Sequence, residues 1–306
     1  MTNFEHVEAS LKRLRAVFVG AARDCAEHLP NVLENLAQLS ALYAEALFVF
    51  VISDSTDETA QILSRWMANR RGSILHLGPL ELSVPLRTER LAIARNAYLD
   101  EARRSATFEY DHLVVADLDN VMAQPISIAS FVAAARWLER DARRAGAFAN
   151  STPNYYDIWS LRHEVWCPHD CWHAIWYRDS REPFETAKIR EVFARQIAIP
   201  RWLPPIRVQS AFGGLGIYKL SYAKGARYKG ADKKSRQISE HVQFNRDICR
   251  AGGSLYIYPS LTVQAPPEHL YRPLEFSWWW RAKMYYQLSR RGRVARWQKV
   301  LGGLES

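Results

Sequence analysis

Two aspartates in alternate positions, Asp117 and Asp119, follow the apolar run Leu113-Val114-Val115-Ala116 and precede a polar turn. In extended backbone residues i and i+2 point the same way, so both carboxylates can face one divalent cation where a strand ends. Mn²⁺ or Mg²⁺ held there would neutralise a diphosphate and polarise its leaving oxygen as a Lewis acid. A second landmark, Ser239-Glu240-His241-Val242, lies late in the chain ahead of the apolar run Leu255-Tyr256-Ile257-Tyr258. Its imidazole can serve as a third metal ligand or as a base near neutral pH, and its carboxylate as a base. A third group, His163, Cys167, His169, Cys171 and His173, invites a tetrahedral zinc site. No partner pair stands at zinc-finger distance, however, and Trp166, Trp172 and Trp176 point to a packed aromatic lobe instead.

The elements that must carry these groups alternate. Residues 15–20 form a short apolar strand, and a helix follows from about Pro30 with Val32, Leu33, Leu36 and Leu39 on one face. A second strand, 47–52, ends in the turn Ser53-Asp54-Ser55-Thr56-Asp57, which caps another helix. A helix over 89–104 feeds the strand that ends at Asp117. This order predicts a doubly wound α/β protein with a mostly parallel sheet, whose ligands gather at the carboxyl ends of the strands. Both acidic turns fall at such ends. From Arg178 to Pro205 the chain is charged and then proline-rich, the composition of a long surface loop or lid.

The chain has 306 residues, 48% apolar and 24% charged, enough for a sizeable core in one catalytic domain over 1–270. No stretch is long and apolar enough for a signal peptide or a membrane span, and four cysteines make no disulfide ladder, so a cytoplasmic location is expected. The net charge of +9 favours anionic partners. Much of it sits in 276–304, where Arg281, Lys283, Arg290, Arg291, Arg293, Arg296 and Lys299 are interleaved with Trp278, Trp279, Trp280, Tyr285, Tyr286 and Trp297, with no acid among them. Residues 271–306 therefore read as a docking segment for an anionic membrane surface.

Four segments together carry a resemblance. Val17-Phe18-Val19-Gly20-Ala21-Ala22-Arg23-Asp24, Asp54-Ser55-Thr56-Asp57-Glu58-Thr59, Arg90-Leu91-Ala92-Ile93-Ala94-Arg95-Asn96 and Asp117-Leu118-Asp119 resemble the ordered landmarks of the glycosyltransferase A fold. More narrowly, they are similar to the fungal capsule-associated α-1,3-mannosyltransferases and their viral and bacterial relatives, over about residues 15–265. The resemblance implies a nucleoside diphosphate sugar donor, with GDP or UDP as its nucleotide. Ala21, Arg23, Ser53, Asp54, Arg90, Arg95 and Asp117 would bind it; Arg90 would face the diphosphate, and Arg95 would face it too or brace the Asp117 loop. Asp117, Asp119 and His241 would hold the metal, His241 standing where the large inverting family has its aspartate base. Glu240 is then the nearest carboxylate for the acceptor proton, with Asp157 as the other candidate. The run Tyr155-Tyr156-Asp157-Ile158-Trp159 resembles the sugar-binding element of the capsule enzymes, and Gln209 to Tyr218 its glycine-containing acceptor-side strand.

The expected reaction is transfer of a hexosyl group, mannosyl on the resemblance, to a hydroxyl of a lipid-linked glycan in surface polysaccharide assembly. The enzyme would sit peripherally on the inner face of the cell membrane. Two other classes compete with it. A nucleotidyltransferase should carry a glycine-rich, lysine-containing signature near the first strand, which Gly20-Ala21-Ala22-Arg23-Asp24 lacks. A nucleic-acid-binding protein would use the tail's cations and indoles but would leave the acidic landmarks unexplained; no nucleic-acid partner is expected.

Overall fold

The computed structural model describes residues 11–105 and 110–270. The docking segment expected over 271–306 and the first ten residues lie outside the described residues.

The chain is an α/β protein built on one eight-stranded sheet. Strand β1 (Arg15–Ala22) is followed by helix α1 (Leu29–Ser40), β2 (Glu45–Ile52), α2 (Thr59–Met67) and β3 (Gly72–His76). Then come α3 (Arg87–Ser105), β4 (His112–Ala116), α4 (Ile128–Glu139), β5 (Arg144–Thr152), α5 (Cys171–Trp176) and α6 (Phe184–Glu191). Strands β6 (Ile206–Val208) and β7 (Leu215–Lys219), helices α7 (Leu220–Ala223) and α8 (Glu240–Arg250), and β8 (Ser254–Gln264) complete it. The strand order is β3-β2-β1-β4-β7-β5-β8-β6. The first four in that order are parallel; β7 is antiparallel to β4 and β5, which puts β5 and its parallel neighbour β8 in the direction of β4. The mostly parallel sheet expected from the sequence is therefore present, with β7 and edge strand β6 reversed.

Period-2 side-chain alternation divides the core between the sheet's two faces. Val17, Val19, Val49, Val51, Leu113 and Val115 pack with Tyr98 and Leu99 of α3 on one face. Phe18, Phe48, Phe50 and Val114 pack with Leu33 and Leu36 of α1 and Phe131 of α4 on the other. Strand β3 was not anticipated; it is a short edge strand whose residues are half-buried or exposed, so it lacks the apolar run that marks the inner strands.

The segment from Arg178 to Pro205 is a correction. Its middle folds as α6 and a 3₁₀ turn at Phe193–Arg195, while 178–183 and the proline-rich 196–205 are turns and irregular backbone. Buried Ala187 and Ile189 seat α6, and Glu191 is gripped by Arg190, Arg195 and His169. Charge density that reads as a solvated loop is here an ion cluster holding a small lobe together.

Candidate active site

At the carboxyl edge of β1, β4 and β5 lies a cavity of about 790 Å³. That is within the range of roughly 300–1,000 Å³ that holds small-molecule ligands. Ala21 at the end of β1, Arg23 and Cys25 after it, Asp117 and Asp119 after β4, and Tyr156 to Ser160 after β5 line it, with Gln237 and Ser239 to His241 at the start of α8. Parallel strands deliver their loops to one edge, which is why residues over 200 positions apart meet here.

At its centre is Arg95. The buried guanidinium donates from Nε to Glu240 Oε1 at 2.9 Å, from Nη2 to Asp117 Oδ1 at 3.0 Å and from Nη1 to the Tyr98 hydroxyl at 3.2 Å. One cation thus orients both a metal-candidate carboxylate and the candidate base. Burial raises the Asp117 carboxyl, the charge of Arg95 pulls it back and Asp119 pushes it up again, leaving it at about 7. Asp119 is also raised by burial. Its Oδ1 accepts from Val121 N at 3.1 Å, capping the 3₁₀ turn Asn120–Met122, so one carboxylate face is structural.

His241 is buried and stacked on Phe212, with ring centroids 3.9 Å apart. Desolvation and the nearby Arg95 hold its pKa well below the usual imidazole range, so the ring is neutral. Neither ring nitrogen has a hydrogen-bond partner among the described residues, and Nε2 lies 3.7 Å from Glu240 Oε1. As placed, no three His, Cys, Asp or Glu side chains among the described residues are grouped closely enough to hold a metal ion. The donor chemistry still suits a hard divalent cation: two carboxylates with raised pKa values and a neutral imidazole with unused nitrogens share one cavity. His269, which the sequence reading missed, also lines the cavity and acts electrostatically on Asp119. It sits on Tyr156 in a stacked pair at 5.8 Å.

Arg90 is placed elsewhere than expected. Its guanidinium donates to the carbonyls of Val84 and Pro85 at 2.9 and 3.1 Å and pairs with Glu81 at 3.3 Å, bracing the loop before α3, and it does not line the cavity. Arg87, Leu91 and Arg95 do line it. Their spacing of four puts them on one helical face, and this was the signal available in the sequence. Arg23 lines the cavity and pairs with Glu81 at 2.6 Å. Ser53 and Asp54 follow β2 and do not line the cavity. Asp54 has φ 56°, accepts from Glu81 N at 2.9 Å through Oδ1, and leaves Oδ2 buried without a partner among the described residues.

Asp157 reaches the cavity, but its oxygens are engaged. Oδ2 accepts from Gly213 N at 3.0 Å and from the Ser160 hydroxyl, and Oδ1 from Ser160 N at 3.3 Å. It is better built to anchor the glycine loop than to take a proton. Gly213 and Gly214 have φ of 68° and 90°, and a Cβ on Gly214 would lie 2.3 Å from Val121 Cγ1. This close approach lets the Gly214 carbonyl accept from Asp117 N at 2.9 Å. Tyr155 is core, buried against Trp166, whereas Tyr156 lines the cavity.

The zinc reading fails on geometry. Cys167 and Cys171 are buried free thiols raised by desolvation, Cys167 Sγ faces the carbonyls of Ile158 and His169, and His169 and His173 are taken up by Glu191 and Arg236. No helix among the described residues is long and apolar enough to cross a membrane.

No family model and no curated protein sequence matches the chain. Among solved structures, the chain is similar to mannosyltransferase PcManGT from Pyrobaculum calidifontis in complex with GDP-Man and Mn²⁺, at TM-score 0.49 and 16% identity over 83% of this chain and 58% of that one. It is similar also to S. aureus TarS 1-349, at TM-score 0.46 and 14% identity over 84% of this chain and 62% of that one. The same TarS fragment in complex with UDP-GlcNAc gives TM-score 0.46 and 12% identity over 82% and 58%. The chain therefore spans about three-fifths of the length of these solved chains.

Proposed function

We propose that this protein is a hexosyltransferase that uses a nucleoside diphosphate sugar and transfers its hexosyl group to a hydroxyl of a glycan. One observation carries the reading: the Asp117/Asp119 pair, the cations Arg23, Arg87 and Arg95, and the carboxylate Glu240 converge on one cavity at the carboxyl edge of a mostly parallel sheet. Cations beside under-neutralised acids suit a ligand that brings its own anions and a divalent metal, which a diphosphate does.

In this reading Asp117 and Asp119, with His241 as the imidazole, would hold Mn²⁺ or Mg²⁺. That ion would supply charge neutralisation on the diphosphate. Arg87 and Arg23 bind the diphosphate oxygens at the cavity mouth. The bond between sugar C1 and the phosphate oxygen breaks, C1 bonds to the acceptor oxygen, and the nucleoside diphosphate leaves with the electron pair. If the anomeric centre inverts, Glu240, held by Arg95, takes the acceptor proton; if it is retained, a diphosphate oxygen takes it. Neutral His241 is a ligand before it is a base.

The finer reading is mannosyl transfer from GDP-mannose to a lipid-linked glycan, with residues 271–306 docking the enzyme on the inner membrane surface. It is supported by the resemblance of the four landmark segments and by the seven cations of that segment. Calorimetric titration with GDP and UDP, with and without Mn²⁺, tests the core of the proposal. Binding should require Mn²⁺ and vanish in Asp119→Asn. Wild-type protein that binds neither nucleotide in the presence of Mn²⁺ would overturn it.

A further inference from the structure

The part of the cavity wall that the α5–α6 lobe supplies is made differently from the part that holds Asp117 and Asp119. Trp172 and Trp176, four residues apart on α5, lie with ring centroids 5.8 Å apart at 31°, and Trp159 meets Trp172 edge-on at 6.2 Å. All three line the cavity. A purely structural aromatic cluster buries its rings, yet Trp176 is 42% exposed.

Polar atoms in the same cavity wall are unusual too. Trp166 of the same lobe shows the satisfied arrangement: its ring is buried and Nε1 donates to Arg195 O at 2.8 Å. Trp159 Nε1, by contrast, is buried without a partner among the described residues. So is Gln196 Oε1. The amide's orientation is fixed, because Gln196 Nε2 donates to the carbonyls of His269 and Tyr156 at 2.7 and 3.3 Å, leaving Oε1 as an acceptor facing no donor. Lys188 also lines the cavity, with Nζ 5.3 Å from the Phe193 ring centroid. An unused N–H donor, an unused C=O acceptor and an ammonium group in one cavity with flat apolar rings match a molecule with apolar C–H faces and a rim of hydroxyls.

We infer that Trp159, Trp172, Trp176, Lys188 and Gln196 form a hexopyranose subsite for the acceptor glycan. The ring of one sugar packs on Trp172 and Trp176, and its hydroxyls accept from Trp159 Nε1 and Lys188 and donate to Gln196 Oε1. The assignment of this sugar as acceptor rests on the hexosyltransferase reading; the sugar site itself does not. The acceptor is thus recognised as a carbohydrate at its reacting end, whatever carries its other end.

Saturation-transfer NMR on the full chain, irradiating aromatic protons, tests the site with methyl α- and β-hexopyranosides and hexose disaccharides of mannose, glucose, galactose and N-acetylglucosamine. At least one probe should receive saturation from wild-type protein. Trp176→Ala should raise its Kd roughly tenfold, the size of one lost aromatic contact, and Trp176→Phe should restore most of it. Trp159→Phe, which keeps a ring and removes only the N–H, should also weaken it. Trp202, 81% exposed and outside the cavity, is the control, and Trp202→Ala should change nothing. Titration with GDP and UDP plus Mn²⁺ on the same samples reports the donor site separately. Nucleotide binding with no probe bound, or a probe bound equally by wild type and Trp176→Ala, would overturn the inference. Sugar binding without nucleotide binding would keep the carbohydrate site and overturn its role as an acceptor site.

Discussion

Two arginine–carboxylate clusters in this molecule are built from the same residue types and end in opposite electrostatic states. In the α5–α6 lobe, burial alone would raise Glu191, but a hydrogen bond from His169 and the charges of Arg195 and Arg190 pull its pKa down to about 2. In the cavity, burial raises Asp117 to about 7, with Arg95 opposing and Asp119 adding to the rise. The difference is the ratio of charges. Three donors, His169, Arg190 and Arg195, bond directly to Glu191 in the lobe, with Arg190 serving Glu182 as well, whereas in the cavity Arg95 is shared between Asp117 and Glu240, and Asp119 has Arg95, Arg87 and His269 only at a distance. An over-supplied carboxylate holds a fold together. An under-supplied buried one is a place where an incoming cation gains free energy.

Removing the shared cation gives the largest expected effect. Arg95→Met leaves buried Glu240 and half-buried Asp117 without their cation and should cost about 3–5 kcal/mol of stability. Urea unfolding at neutral pH measures it. A loss below about 1 kcal/mol would mean that the network is solvated and that the contrast between the clusters is not one of charge supply.

Asp119→Asn should separate function from stability. Turnover of a nucleotide sugar should fall about 10²–10³-fold, the scale of one lost electrostatic stabiliser. Unliganded stability at pH 8 should hold or rise, because a repelling charge beside Asp117 is gone. The sign follows from linkage: with its folded pKa raised, Asp117 makes the unliganded protein more stable as pH falls from about 7 toward the unfolded value near 3.9. This slope should flatten in Asp119→Asn. A melting temperature that drops at pH 8 would show instead that the cap from Asp119 to Val121 N outweighs the repulsion.

Glu191→Gln should behave in the opposite way, costing about 2 kcal/mol at neutral pH. A depressed folded pKa stabilises above the unfolded value near 4.3, and the advantage of wild type should fade as pH falls from there through about 2. Melting curves of both proteins from pH 2 to 7 check this; a constant difference across that range would assign the effect to shape rather than charge.

The smallest effect sharpens the cavity side of the contrast. Arg87, which lines the cavity, has no hydrogen bond or ion pair among the described residues, so Arg87→Gln should weaken GDP or UDP binding about tenfold while leaving nucleoside binding alone. Arg90→Gln should leave the ratio of the two affinities unchanged, since its guanidinium is spent on Val84, Pro85 and Glu81. Equal loss of nucleoside and diphosphate affinity in Arg87→Gln would remove Arg87 from the diphosphate site.

What the amino-acid sequence determined by itself is everything that depends on local period and spacing. The apolar run before Asp117 specifies a buried strand, the alternate positions put both acids at its end, and Val32, Leu33, Leu36 and Leu39 specify the buried face of α1. That Arg90 and Arg95 cannot face one ligand together was also legible, since positions five apart on a helix point about 140° from each other, but Arg87 lies within about 80° of both, so spacing did not say which of the two lines the cavity. The tertiary structure decided what depends on groups distant in sequence. Only the meeting of α3 with α8, 145 residues apart at the Arg95–Glu240 contact, joins the candidate base to the metal-candidate acid. Only the packing of the lobe sends Tyr155 into the core and leaves Tyr156 in the cavity. Whether a carboxylate is held near 2 or near 7 is likewise invisible in its neighbours along the chain, because desolvation and Coulomb energy are summed over neighbours in space.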